Sequence, residues 1–261
     1  MAAPSQGGLA QRHALVTGGG RGIGAAIARM LVGEGALVTV LGRDAARLAA
    51  IAAEAPARIH AVVADVADEA QVDAALADAR RRFGKLAILV NNAGQAQSAP
   101  LARTSVALWQ AMLAVNLTGT FLCSRAALPD MTAAGWGRIV NVASTAGLKG
   151  YAYVAAYCAA KHGVVGLTRA LAAEVARSGV TVNAICPGYT ESDLLAASVA
   201  NVAARTGRSP EAARAALAAG NPQGRILEPR EIADTVRWLC GPDAGSVHGQ
   251  SIAICGGEVT P

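Results

Sequence analysis

The chain has 261 residues, 53% of them apolar, and a formal net charge of +5. That length suits one large α/β domain with an ample core, and no segment reaches the roughly 18 uncharged apolar residues of a membrane span. Lys and Arg are scattered rather than clustered and aromatic residues make up only 3%, which argues against a nucleic-acid partner.

Residues 1–12 read as a flexible lead-in without the apolar core of a signal peptide. Cys123, Cys158, Cys186, Cys240 and Cys255 are odd in number and lack C-x-x-C spacing, so reduced thiols in a cytoplasm are expected and no metal site.

His13–Thr17 is a short apolar run. Gly18-Gly19-Gly20-Arg21-Gly22-Ile23-Gly24 follows, and then a helical pattern reaching Gly33. A strand feeding a glycine-rich turn that opens a helix is a phosphate cradle: glycine lets backbone approach a pyrophosphate, and the helix start offers free N–H groups and a positive dipole end. Further strands are expected at Leu37–Leu41, Ile59–Ala64, Leu86–Val90, Gly137–Val142, Val180–Ile185 and Ser251–Ile254. Helical patterns lie between them at 22–33, 44–54, 69–82, 105–132, 154–177 and 229–240. Continuous runs such as Ile88-Leu89-Val90 mark strands buried on both faces. Strict β/α alternation then predicts a doubly wound parallel sheet, Rossmann-type, in a single domain over 13–261.

The end of the second strand reads Val40-Leu41-Gly42-Arg43-Asp44. A site for NAD places an acid there to hold the ribose 2′-hydroxyl. Gly42 stands in its place, with Arg43 next and Arg21 in the glycine loop, and two guanidiniums suit a 2′-phosphate. NADPH is therefore expected in preference to NADH, with Asp44 capping the next helix.

Tyr157 and Lys161, at i and i+4, share one helix face. An ammonium beside a phenol is expected to pull its pKa toward neutrality and so make a general acid or base. Ser144 can hydrogen-bond a substrate carbonyl beside it, whereas Cys158 points away around the helix. After Pro187-Gly188-Tyr189-Thr190 comes an insertion at about 190–225, read as a substrate lid built from a helical pair. Its interior includes Leu194, Leu195, Val199, Val202 and Leu217; Arg205, Arg208 and Arg214 offer a basic rim.

Thr17-Gly18-x-x-x-Gly22-x-Gly24, Asp65-Val66, Asn91-Asn92-Ala93-Gly94, Asn116, Ser144, Tyr157-x-x-x-Lys161 and Pro187-Gly188 follow in an order that resembles the short-chain dehydrogenase/reductases. The likeness runs from about residue 12 to 257 and is to the single-domain branch. Tyr157–Leu167, Val180–Gly188 and Cys255-Gly256-Gly257 look most like bacterial 3-oxoacyl and polyketide ketoreductases. The resemblance implies Tyr157 as proton donor to a ketone, or base in alcohol oxidation. It implies Lys161 tuning Tyr157 and bonding the nicotinamide ribose, Ser144 holding the carbonyl oxygen, and Asn116 positioning a water that links Lys161 to solvent.

By the same likeness, Gly18, Arg21, Gly22, Ile23, Gly24 and Arg43 take the cofactor's phosphates, and Asp65 and Val66 its adenine edge. Asn92 and Gly94 take the adenosine-ribose side, and Pro187, Gly188 and Thr190 the nicotinamide end alongside Tyr157 and Lys161. Tyr153 is expected as pocket wall. The implied activity is NADPH-dependent reduction of a carbonyl, a 3-oxoacyl thioester on CoA or a carrier protein being one candidate, in a homotetramer. NAD-dependent oxidation of a secondary alcohol or 3-hydroxyacyl substrate is the alternative. A non-catalytic dinucleotide sensor is more remote, because all four of Asn116, Ser144, Tyr157 and Lys161 are present.

Overall fold

The computed structural model describes residues 8–260. Seven strands, β1 (His13–Thr17), β2 (Leu37–Gly42), β3 (Ile59–Val63), β4 (Ile88–Asn91), β5 (Gly137–Val142), β6 (Val180–Pro187) and β7 (Ser251–Ile254), form one sheet in the order β3-β2-β1-β4-β5-β6-β7. Every neighbouring pair is parallel. The order reverses between β1 and β4, which opens a crevice at the carboxyl ends of the strands, the usual ligand site of such sheets.

Nine α-helices connect the strands among the described residues: α1 (Gly22–Gly33), α2 (Ala45–Glu54), α3 (Glu69–Phe83), α4 (Val106–Leu113), α5 (Gly119–Ala134), α6 (Ala155–Val175), α7 (Asp193–Thr206), α8 (Pro210–Ala218) and α9 (Pro229–Cys240). Strand residues alternate between two cores. Ala14, Val16 and Val90 pack with Ile27 and Leu31 of α1, Leu48 of α2 and Val236 of α9. Leu15, Leu89 and Ile139 pack on the other side with Leu76 of α3, Leu122 and Met131 of α5 and Val175 of α6. This period-2 division explains why the strands read as unbroken apolar runs. Truncating a fully buried residue such as Leu31 or Leu76 is the kind of change that costs about 2–5 kcal/mol.

Helix 105–132 proves to be two helices. A π turn, Ala114–Thr118, separates α4 from α5. The combined run Val106–Ala134 is long and apolar enough by composition to cross a membrane, yet Leu122, Cys123, Ala127 and Met131 lie in the core beneath it. Of the segment 1–12, residues 1–7 lie outside the described residues. Leu9 is buried in the core and Gln11 N–H donates to Gly35 O at 3.0 Å, so the packed domain takes in residues 8–12. The insertion after β6 contains a helical pair, α7 and α8.

Candidate active site

The loop between β1 and α1 lies at the sheet's switch point. Its glycines are needed for space: a Cβ on Gly18 would stand 2.9 Å from Asn92 Nδ2, and one on Gly24 would strike the Gly18 carbonyl. Gly18 and Gly22 also have positive φ, 64° and 51°, a region that favours glycine. Asn92 fastens this loop to β4, donating its amide to Thr17 O at 2.9 Å and Gly18 O at 3.2 Å. Arg21 is the N-cap of α1 and makes no side-chain cap, and no acid stands in the first turn. The amides of Gly22, Ile23 and Gly24 belong to the set that has no acceptor inside the helix. A narrow glycine cradle with uncapped N–H groups fits a dinucleotide's pyrophosphate.

At the end of β2, Gly42 leaves the acid position empty of a carboxylate. Arg43 lies 3.7 Å from Asp65, and Asp44 caps α2, accepting from Arg47 N–H at 3.1 Å. Val66 buries its side chain against Gly119. Arg21 and Arg47 both donate to one oxygen, Asp193 Oδ2 at the start of α7, Arg47 at 2.6 Å. Arg47 is thus a third guanidinium in this corner.

Beyond the glycine loop, β5 ends at Val142 and the chain turns through Ser144, whose hydroxyl accepts from Ala146 N–H at 3.1 Å and lies on the side of Tyr157, where it lowers the phenol's pKa. Tyr157 and Lys161 lie in the first turns of α6, with Lys161 Nζ 5.7 Å from the phenol ring centre. Lys161 is buried, and its ammonium donates to Val142 O at 2.8 Å. Gly94 leaves room for Asn116: a Cβ there would stand 2.9 Å from Asn116 Oδ1, and at an ordinary contact of 3.6 Å from Lys161 Nζ.

Asn116 is fully buried in the π turn, a deviation that often marks functional positions. It donates to Gln95 O and Met112 O, each at 2.9 Å, and accepts from Gln95 N–H at 3.2 Å. Its side chain therefore locks the loop after β4 onto the helix.

The electrostatics correct one expectation. Tyr157 is not drawn toward neutrality; desolvation pushes it up to about 12, and the Ser144 hydroxyl offsets this only in part. Lys161 moves the other way, down to about 8, because burial disfavours its charge. At this 5.7 Å separation, burial acts on each group separately and is the largest influence on both.

At the far end of the crevice, Gly188 N–H donates to Ile254 O at 2.9 Å and Thr190 Oγ1 donates to Gly188 O at 3.0 Å. Pro187 ends β6 in the same turn, and Thr190 is buried, bridged to Leu227. Tyr153, expected as pocket wall, has a left-handed φ of 68° and is 63% exposed. Tyr151 is the aromatic held inside, between Thr145 and Glu258. In the insertion Leu195 is buried, but Leu194 is exposed. Arg214 pairs with Glu191 and so is not a free rim charge, while Arg205 donates to Ser98 O.

A family model for short chain dehydrogenases matches residues 12–203. The chain belongs to the short-chain dehydrogenase family. It is 41% identical over 261 residues to the granaticin polyketide synthase putative ketoacyl reductase 1 of Streptomyces violaceoruber, covering 98% of this chain and 96% of that one. It is also 41% identical over 252 residues to the cis-4-hydroxycyclohexanecarboxylate dehydrogenase of Sinomonas cyclohexanicum, covering 95% and 97%. Among solved structures, a variant of the actinorhodin polyketide ketoreductase with NADPH superposes with a TM-score of 0.92 at 38% identity, covering 99% of each chain. This short-chain dehydrogenase is accordingly an NAD(P)-dependent oxidoreductase of carbonyl or alcohol groups, single-domain and most like the ketoreductases.

Sequence reasoning about this dehydrogenase missed Arg47, Lys149, Tyr151 and Glu258. Arg47 follows Arg43 by four residues, in the first turn of α2, a nearness in sequence that could have flagged a further cation. Glu258 is a lone acid directly after the Cys255-Gly256-Gly257 turn. Its partners lie more than 100 residues away, and local pattern carries no trace of them.

Proposed function

We propose that this short-chain dehydrogenase reduces a ketone to a secondary alcohol with NADPH, Tyr157 donating the proton. The observation that carries the reading is the grouping of Ser144 and Tyr157 with buried Lys161, whose Nζ lies 5.7 Å from the phenol ring centre, at the switch-point crevice. NADPH when bound supplies the hydride. Gly18, Gly22, Ile23 and Gly24 hold its pyrophosphate, Arg21, Arg43 and Arg47 its 2′-phosphate, and Asp65 and Val66 flank the adenine. Asn92 and Gly94 wall the adenosine-ribose side, while Pro187, Gly188, Thr190 and Lys161 take the nicotinamide end.

Ser144 donates its hydroxyl to the carbonyl oxygen, where negative charge develops. A phenol that keeps its proton up to about 12 still gives it readily to an alkoxide, a far stronger base; it is a poorer base for alcohol oxidation. Asn116 keeps the loop after β4 beside Lys161, where a water can return protons from solvent. All five cysteines are free and buried, which suits the reducing cytoplasm. The assembly proposed is a homotetramer.

The relatives' names supply substrate classes to try: a ketoacyl thioester and a ring carbonyl. Acetoacetyl-CoA, 4-oxocyclohexanecarboxylate and cyclohexanone, each assayed with NADPH and NADH by loss of reduced-nicotinamide absorbance, test the reading. Turnover of at least one with NADPH favoured is the expected result. A preference for NADH would return the protein to the NAD-dependent dehydrogenase alternative.

A further inference from the structure

The turn that follows β7 reaches three loops of the site. Gly188 is bonded to Ile254 O at its base. Gly256 and Gly257 have φ of 62° and 93°, and a Cβ on Gly256 would collide with Asn221 Oδ1 at the end of the insertion. The turn then delivers Glu258, whose side chain is only 5% exposed. Its Oε1 lies 2.5 Å from Tyr151 Oη and 3.2 Å from Lys149 Nζ. Lys149 also stands 3.4 Å from the Glu258 carbonyl oxygen and 4.9 Å from the centre of the Tyr151 ring. Oε2 packs against Gly188, 3.3 Å from where a Cβ would be. Tyr151 Oη lies 2.7 Å from Thr145 Oγ1, and Thr145 directly follows Ser144.

Counting protons fixes the direction of these bonds. An ionised carboxylate only accepts, so Tyr151 gives its one proton to Glu258, and the Thr145 hydroxyl must donate to Tyr151. A buried charge is retained at a cost that only such partners offset, and this one is spent on the loop next to Ser144 rather than on the core.

We propose that Glu258 is a positioning residue for carbonyl reduction: acting through Tyr151 and Thr145, it holds the Ser144 loop in register with the Gly188 loop. The inference rests on the role proposed for Ser144. Neither Glu258 nor Lys149 touches the reacting atoms. Their effect is to keep the carbonyl-holding hydroxyl at one distance from the nicotinamide end, where small misplacements are costly.

The test compares Glu258→Ala, Glu258→Gln, Tyr151→Phe and the Tyr151→Phe/Glu258→Ala double variant. kcat and KM are measured with NADPH on acetoacetyl-CoA and cyclohexanone, and amide hydrogen exchange is followed with NADPH present. Glu258→Ala and Tyr151→Phe are each expected to lower kcat about tenfold with the KM for NADPH within about twofold. Glu258→Gln, which still accepts from Tyr151, is expected to restore most of it. The double variant should be no worse than the singles, as for members of one chain of bonds. Exchange should quicken at 144–151 and not in β5.

Unchanged kcat in both single variants, a loss confined to the KM for NADPH, or additive losses would each overturn the proposal. If Glu258→Ala does not fold, Tyr151→Phe and Glu258→Gln decide it by the same readouts. If neither probe is turned over by the wild type, the reduction reading fails for them. The positioning claim then stands or falls on exchange alone: unaltered protection at 144–151 in Glu258→Ala or Tyr151→Phe would refute it.

Discussion

Burial pulls Tyr157 and Lys161 in opposite directions, and the consequences are separable by pH. Tyr157, held up to about 12, stays protonated across any ordinary assay, whereas Lys161, brought down to about 8, does not. In the reductive direction the alkaline limb of kcat/KM should therefore fall near pH 8, from loss of the Lys161 charge, and not from ionisation of the phenol. A profile that stays flat well above pH 8 would refute this assignment. Replacing Tyr157 by Phe removes only the transferable proton, so turnover should drop by about 10²–10⁴-fold while NADPH binding, followed by fluorescence titration, is retained. The linkage to folding has a definite sign. Because the Lys161 pKa in the folded protein lies below its usual 10.5, the native state binds fewer protons, and this group's contribution to stability rises as pH climbs from about 8 to about 10.5.

Among the elements, α7 is tied to the cofactor corner by Asp193, which holds Arg21 and Arg47 together. All three side chains are about half exposed, so the clasp is screened and weak. Its interest lies in competition: a 2′-phosphate would claim the same two guanidiniums. Asp193→Asn should tighten NADPH binding a few-fold, leave NADH binding unchanged, and speed hydrogen exchange in 193–206 of the cofactor-free protein. Equal gains for both cofactors would remove Arg21 and Arg47 from the phosphate site.

Local chemistry made much of this readable beforehand. The Asp44 cap followed from its place before an apolar helix, and a helical pair was expected in the insertion at about 190–225. The π turn did not show, because one extra residue per turn barely shifts the apolar spacing of 105–132. The Arg205 bond to Ser98 O and the ion pairs of Arg214 and Asp193 did not either, since each joins segments that only the fold brings together. Nor did periodicity report the depth of the phenol, so attraction to Lys161 was weighed without the desolvation that exceeds it.

At the scale of the whole molecule, the alternation of strands and helices fixed the sheet and its switch point, and the surface left uncovered offers a test of the proposed tetramer. Val106, Trp109 and Phe121 of α4 and α5 are large apolar side chains left exposed. Gly166, Ala170 and Ala173 form an exposed small-residue stripe on α6 at i, i+4 and i+7, the spacing of one helix face. Such a stripe lets a second helix approach closely, and closed two-fold assemblies are the general rule.

Nothing lies within 4 Å of the position a Cβ would take on Gly166. Gly166→Leu is therefore free of clash inside the protomer and should raise helix stability by up to about 1 kcal/mol. If two copies of α6 face each other in a tetramer, the same leucine blocks their approach. Light scattering at micromolar concentration should then give a tetramer mass for the wild type and a smaller species for Gly166→Leu, with the circular dichroism of the helices undiminished. A monomer mass for the wild type would refute the tetramer, and a tetramer that persists in Gly166→Leu would move the interface away from α6.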